Sequence, residues 1–272
     1  MQNFSMTPHA MLASLWLNRS LVRNLVIREV VGRYRGSALG LLWSFFNPVF
    51  LLTVYTFVFS VIFKARWGTG GGSKAEFALV LFSGLMLYNL FAECVNRAPT
   101  LILNHSTYVK KVVFPLEILP WVIYFSALFH MLVSFIVWLL FSFVIFGFPP
   151  VTVVLFPFLL LPLTLLAMGF SWLLASLGVY LRDVSHVVGI MTMALMFLTP
   201  IFYPISAIPD AYQTVLYANP LTFIIEQARN LLIFGTTIEY VGFISLSVVS
   251  FFISWLGFAW FQKTRKGFAD VL

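Results

Sequence analysis

The chain has 272 residues, of which 61% are hydrophobic and 9% charged. No water-soluble domain carries that balance without large apolar patches on its surface, so the composition predicts an integral membrane protein. The net charge of +7 does not point to nucleic acid, because the basic residues border the apolar runs as topology signals do. The single cysteine, Cys94, excludes an intrachain disulfide and a Cys-based metal cage.

Residues 1 to about 14 carry no pattern and are expected to be mobile. The first twenty lack a compact apolar core, so no removable signal peptide is expected. From Ser14 to Arg35, Arg19, Arg23, Arg28, Arg33 and Arg35 alternate with leucines and valines, which predicts an interfacial helix. Arg33 and Arg35 precede roughly 23 residues without a charge before Lys64, enough to span a bilayer. Gly32, Gly36 and Gly40 recur every fourth residue. That spacing offers either a bare ridge for a close helix contact or a bend from interface into span. Trp43, Phe46, Phe50 and Phe57 share one helical face, as packing or as a channel wall.

The glycine-rich stretch from Lys64 to Glu76 predicts a loop, followed by a second span from about Phe77 to Val95. Glu93 and Arg97 stand at i, i+4 spacing near its end. RAPTLILNHSTYVKKVVFP is too polar and brief to cross. Further spans are expected from about Leu116 to Phe146, Val151 to Leu181, Val187 to Phe202 and Tyr240 to Phe261. The stretch before the last span is apolar yet holds Asp210, Asn219, Pro220, Glu226 and Arg229. A single crossing there would put Lys263, Arg265 and Lys266 outside, so two short helices that dip in and return, broken at Asn219 and Pro220, are expected over about 204–236. The predicted fold class is therefore all-α, with six transmembrane helices, an N-terminal interfacial helix and a re-entrant helical pair. The divisions are a cytoplasmic segment 1–36, a transmembrane domain 37–262 with an inner loop at about 98–114, and a cytoplasmic tail 263–272. With both termini inside, only Lys64, Arg66, Lys74 and Arg229 of the 16 lysines and arginines fall outside, which supports the orientation.

No G-x-x-x-x-G-K-[ST] and no H-E-x-x-H occurs, so the chain is not expected to hydrolyse nucleotide or to hold a metal. Glu93, Glu117 and His130 are the few ionisable groups expected within the spans, and only His130 is deep.

GRYRGSALGLLWSFFNP, VVFPLEILP, LRDVSH, FYPISAIP and NPLTFIIEQAR follow one another in the chain. In that order they resemble the polysaccharide-export permeases of ATP-binding-cassette transporters, in the O-antigen exporter branch, with teichoic-acid exporters as relatives. The resemblance implies a non-catalytic permease that works as a homodimer in the bacterial inner membrane with two copies of a separate ATPase, which holds ATP and Mg. Its cargo would be a polysaccharide on undecaprenyl diphosphate. It also implies a coupling helix at about Thr100 to Lys111, using Leu101, Ile102, Leu103, Asn104, His105, Tyr108 and Lys110, unless these lie back on the membrane or the permease itself. Aromatic side chains can carry the C–H faces of sugars. Arg33 and Arg35 suit a lipid diphosphate or positive-inside anchoring. The rival readings are a permease for a small lipid or drug and a membrane enzyme of polysaccharide assembly.

Overall fold

The computed structural model describes residues 5–58, 74–109 and 114–272. In chain order the helices are α1 (Pro8–Leu17), α2 (Arg19–Tyr34), α3 (Trp43–Tyr55), α4 (Lys74–Asn104), α5 (Ser106–Val109), α6 (Leu119–Phe146), α7 (Phe156–Tyr180), α8 (Val184–Leu198), α9 (Asp210–Tyr217), α10 (Pro220–Arg229), α11 (Tyr240–Thr264) and α12 (Phe268–Val271). Among the described residues, five helical stretches are long and apolar enough to cross a membrane: Gly40–Val58, Ala75–Asn104, Leu116–Phe146, Val151–Tyr180 and Tyr240–Val271. The expected fifth span is instead the shorter apolar helix α8.

α4 is the axis of the fold. It packs against α6, α7, α8 and α10, while α11 lies on the far side of α7 and α2 and α3 lie on α6. Its side chains from Phe77 to Tyr88 are all buried. Two indoles fasten the bundle, with Trp138 Nε1 donating to Leu79 O at 3.1 Å and Trp172 Nε1 to Glu117 O at 3.0 Å. Such bonds matter at membrane depth, where no water can take the place of a lost partner.

Several expectations need correction. The N-terminus is not unpatterned throughout, because Thr7 caps α1 and Met11 is buried against α11, where Ser254 Oγ lies 3.5 Å from its sulfur. The single helix expected from Ser14 to Arg35 is two helices, broken at Asn18, whose side chain donates to Ser14 O at 2.8 Å. The second span does not end at Val95 but runs through Pro99 to Asn104. An interior proline commonly costs a helix about 3 kcal/mol. Here α7 presents Gly178 directly to Pro99, and Ala98, Leu101 and Ile102 are buried, so packing outweighs that cost.

Of the two readings of the glycine repeat, the structure favours the bend. Gly36 and Gly40 have φ of 85° and 51°, and a Cβ on Gly32, Gly36 or Gly40 would meet nothing within 4 Å. The expected loop from Lys64 to Glu76 lies outside the described residues up to Gly72 and Ser73, and α4 begins at Lys74.

Candidate functional site

Midway along α4, a polar stripe opens to space. Asn89 and Asn96 are exposed and Glu93 half-buried between them, while Leu90, Phe91, Cys94 and Val95 are buried. The spacing of four and three residues sets the three on one face. They border a cavity of about 380 Å³ closed by α3 with Ser44, Asn47, Pro48 and Leu51, by α6 with Ala127, His130, Met131 and Ser134, and by Arg33 and Tyr34 at the end of α2.

Inside the cavity the polar groups are incompletely used. His130 Nδ1 lies 3.4 Å from Tyr34 Oη, whereas its Nε2 is buried without a partner among the described residues. Asn96 Oδ1 accepts from Thr192 Oγ1 at 2.9 Å, which ties α4 to α8. Tyr88 Oη adds a second tie by donating to Thr192 O. No hydrogen bond engages the side chain of Asn47 or Asn89 among the described residues. Burial raises the Tyr34 phenol's pKa, Arg33 lowers it and Glu93 raises it, so the hydroxyl stays a neutral hydrogen-bonding group.

A chain of charges closes the end beside α2. Arg33 pairs with Glu93, Glu93 also accepts from Arg97 Nη1 at 3.1 Å, and Arg97 Nη2 reaches Glu29. The pair expected along one helix, Glu93 and Arg97, is thus half of a network that ties α2 to α4. Arg33, one of the two head-group candidates, is committed to Glu93, and Arg35 is exposed.

The other sequence-named residues divide. Trp43, Phe46, Phe50 and Phe57 are exposed, at 41%, 45%, 68% and 57%, on a face of the first span that does not line the cavity. Of the coupling candidates, Leu101 and Ile102 fill this chain's own core, which for these two favours the alternative that they lie back on the permease itself. Leu103 is half-buried and Asn104 exposed. His105 stacks on Tyr108, and Tyr108 stacks on Phe114 with ring centroids 4.3 Å apart. Lys110 lies outside the described residues.

A second polar knot lies at the other end of α4, and its key residue was missed. Arg229, expected as an outside charge, is fully buried. Its Nη1 donates to Pro200 O and Glu226 Oε1, each at 2.6 Å, its Nη2 to Ile201 O at 2.8 Å, and its Nε to Val80 O at 3.4 Å. Asn219 caps α10 through Leu221 N at 3.0 Å and donates to Thr199 Oγ1 at 2.8 Å. The only sequence signal for this role was an arginine on an otherwise apolar helical face, three residues after Glu226.

Comparison with known proteins adds the family. Residues 20–233 match the family described as ABC-2 type transporter. The chain belongs to that family. It is accordingly a multi-pass membrane protein of the transporter class. It is similar to the O-antigen export system permease protein RfbA of Myxococcus xanthus, 28% identical across 94% of this chain and 96% of that protein. A protein of the same name from Klebsiella pneumoniae is 27% identical over 90% of this chain and 92% of its own length. The polysialic acid transport protein KpsM of Escherichia coli is 25% identical, covering 90% of this chain and 93% of that protein.

Proposed function

We propose that this chain is the transmembrane subunit of an ATP-driven exporter that moves a lipid-linked polysaccharide of O-antigen type across the bacterial inner membrane. The observation that carries the reading is the polar cavity beside Arg33, set in the bilayer-length helices of a chain that matches proteins named export permeases over 96% and 92% of their length. The chain itself is not an enzyme. A separate ATPase subunit, present in two copies with two copies of the permease, binds ATP and Mg and supplies the energy. The lipid carrier is undecaprenyl diphosphate, received at the exposed Arg35 and at the N–H donors that Arg33 does not give to Glu93. The exposed aromatic face of Trp43, Phe46, Phe50 and Phe57 forms the channel wall once two permeases pair, where rings hold sugars weakly enough to slide.

Six crossings with both termini in the cytoplasm are the topology of this reading. Helix α8 has 15 residues, about 22 Å of rise against roughly 30 Å of hydrocarbon. The rest of its crossing is the irregular backbone after Leu198, and irregular backbone is tolerated at depth only where protein satisfies it. Arg229 does so for Pro200 and Ile201. α9 and α10 are then the two arms of the re-entrant pair, closing the outer end.

Deleting the gene in its host tests the function. Surface polysaccharide should disappear while lipid-linked polymer accumulates inside, and unchanged surface polymer would reject the proposal.

The coupling surface is narrower than the sequence suggested, centred on Leu103, Asn104 and Lys110 with Tyr108 and His105 behind. Leu103→Asp combined with Lys110→Glu is expected to cut the co-purified ATPase at least about tenfold, as loss of a central interface anchor does. Permease abundance should hold, since Leu103 is only half-buried. Retention of ATPase at the wild-type ratio would move the contact elsewhere.

A further inference from the structure

A cavity at membrane depth selects its occupant by the groups that line it. Here the carboxamides of Asn47, Asn89 and Asn96 and the imidazole of His130 border a space whose wall also holds the apolar Met86, Leu90 and Met131. Each carboxamide offers both donors and an acceptor, and so does each hydroxyl of a sugar. An acyl chain would offer no partner to the side chains of Asn47 and Asn89 or to the buried His130 Nε2, which disfavours it. The formal charges in the lining, Arg33 and Glu93, pair with each other, so beyond the Arg33 end the cavity favours a neutral polar group over a lone ion. The volume, about 380 Å³, is within the ordinary range of small-molecule sites. The apolar stretches between the carboxamides suit the C–H faces of a ring, and the amides suit its hydroxyl edge.

Position narrows the choice further. Arg33 and Tyr34 form one end of the cavity, at the junction of the basic helix α2 with the first span. We propose that the cavity holds the first sugar of the lipid-linked substrate, the one joined to the diphosphate, with Asn47, Asn89, Asn96 and His130 as its hydrogen-bonding partners. The proposal rests on the reading of the cargo as a lipid diphosphate carrying a polysaccharide. The permease then recognises its substrate by the lipid-proximal sugar, one per protomer, and leaves the remainder of the polymer to the less selective aromatic wall.

Ordered water would also satisfy these amides, so the test must separate a sugar from water. The purified permease–ATPase complex in nanodiscs, without nucleotide, is titrated with undecaprenyl diphosphate carrying one glucose, with the same lipid carrying one N-acetylglucosamine, and with undecaprenyl diphosphate alone. At least one sugar-bearing lipid should bind about tenfold more tightly than the bare lipid, the effect of one or two net hydrogen bonds. Asn89→Leu, which keeps the volume and removes the amide from an exposed position, should reduce that preference to below about threefold through a loss confined to the sugar-bearing lipid. Asn47→Leu should do the same and serves if the first variant fails to assemble with the ATPase. Equal binding of bare and sugar-bearing lipids by the unmodified complex would overturn the inference and leave the exporter reading in place. A preference that survives in both leucine variants would also overturn it. If the unmodified complex binds none of the three lipids, the lipid-diphosphate cargo falls and the inference with it.

Discussion

An Arg229→Ala permease is expected to lose about 3–5 kcal/mol of stability, the range seen when one member of a buried charged network is removed. The guanidinium is fully buried and holds the carbonyls of Pro200 and Ile201 and the carboxylate of Glu226. Those two carbonyls belong to backbone that has left the helix after Leu198, so no turn of helix can recover them. Glu226 is about one-third exposed and can regain some solvation, which limits its share of the loss. Arg229→Lys should fall between, since an ammonium keeps the charge but cannot reproduce the planar fork across four acceptors. The midpoint of heat-induced loss of folded protein in detergent orders the three. Equal midpoints for Arg229→Ala and the unmodified protein would show that the knot does not hold α8, α10 and α4 together.

Gly257→Ala should cost about 3 kcal/mol although it adds one carbon. A Cβ there would sit 2.1 Å from the backbone oxygen of Gly169, and a Cβ on Gly169 would sit 2.7 Å from Ile253 O. Backbone cannot swing aside as a flexible side chain can, so α7 and α11 must separate along the small-residue seam that includes the buried Ser250 and Ser254. Gly32→Ala is the matched control. Its Cβ would meet nothing within 4 Å, and replacing a helix-interior glycine by alanine commonly gains about 0.5–1 kcal/mol. Opposite signs for the two substitutions are the expected result in the same heating assay, and equal small effects would contradict the close crossing.

These positions mark what the sequence could convey. Leu116–Phe146 begins and ends where the apolar run predicted, because Pro115 precedes it and GFPP follows it. The break at Asn219 and Pro220 was legible too, since asparagine at the cap and proline at the first helical position are local chemistry. Pro99 misled for the converse reason. Its local signal says that the helix stops, and Gly178, distant in sequence, lets it continue. Leu101 and Ile102 read as exposed only while the helix was thought to have ended. The glycine repeat near residue 36 attracted the close-contact reading, whereas the contacts are made by Gly169, Gly178 and Gly257, each without a glycine four residues away.

The candidate site was legible by halves. Arg33, Glu93 and His130 stood out because charge is rare in apolar runs. Asn89 and Asn96 did not, although with Glu93 they make a polar stripe at helical spacing on an otherwise apolar helix. The aromatic residues of the first span, Trp43, Phe46, Phe50 and Phe57, share helical spacing in the sequence and are all exposed. That they turn away from the cavity depends on how α3 lies on α6, which no local pattern encodes.

The central claim is that this chain forms the path along which a lipid-linked polymer crosses the membrane on energy from a separate ATPase. Inverted membrane vesicles carrying both subunits and radiolabelled lipid-linked polymer on their outer face test it directly, with an added glycosidase reporting what remains accessible. The account predicts that polymer becomes protected only when ATP, a hydrolysis-competent ATPase and this permease are all present. Protection that proceeds equally in vesicles without the permease, or without ATP, would contradict it.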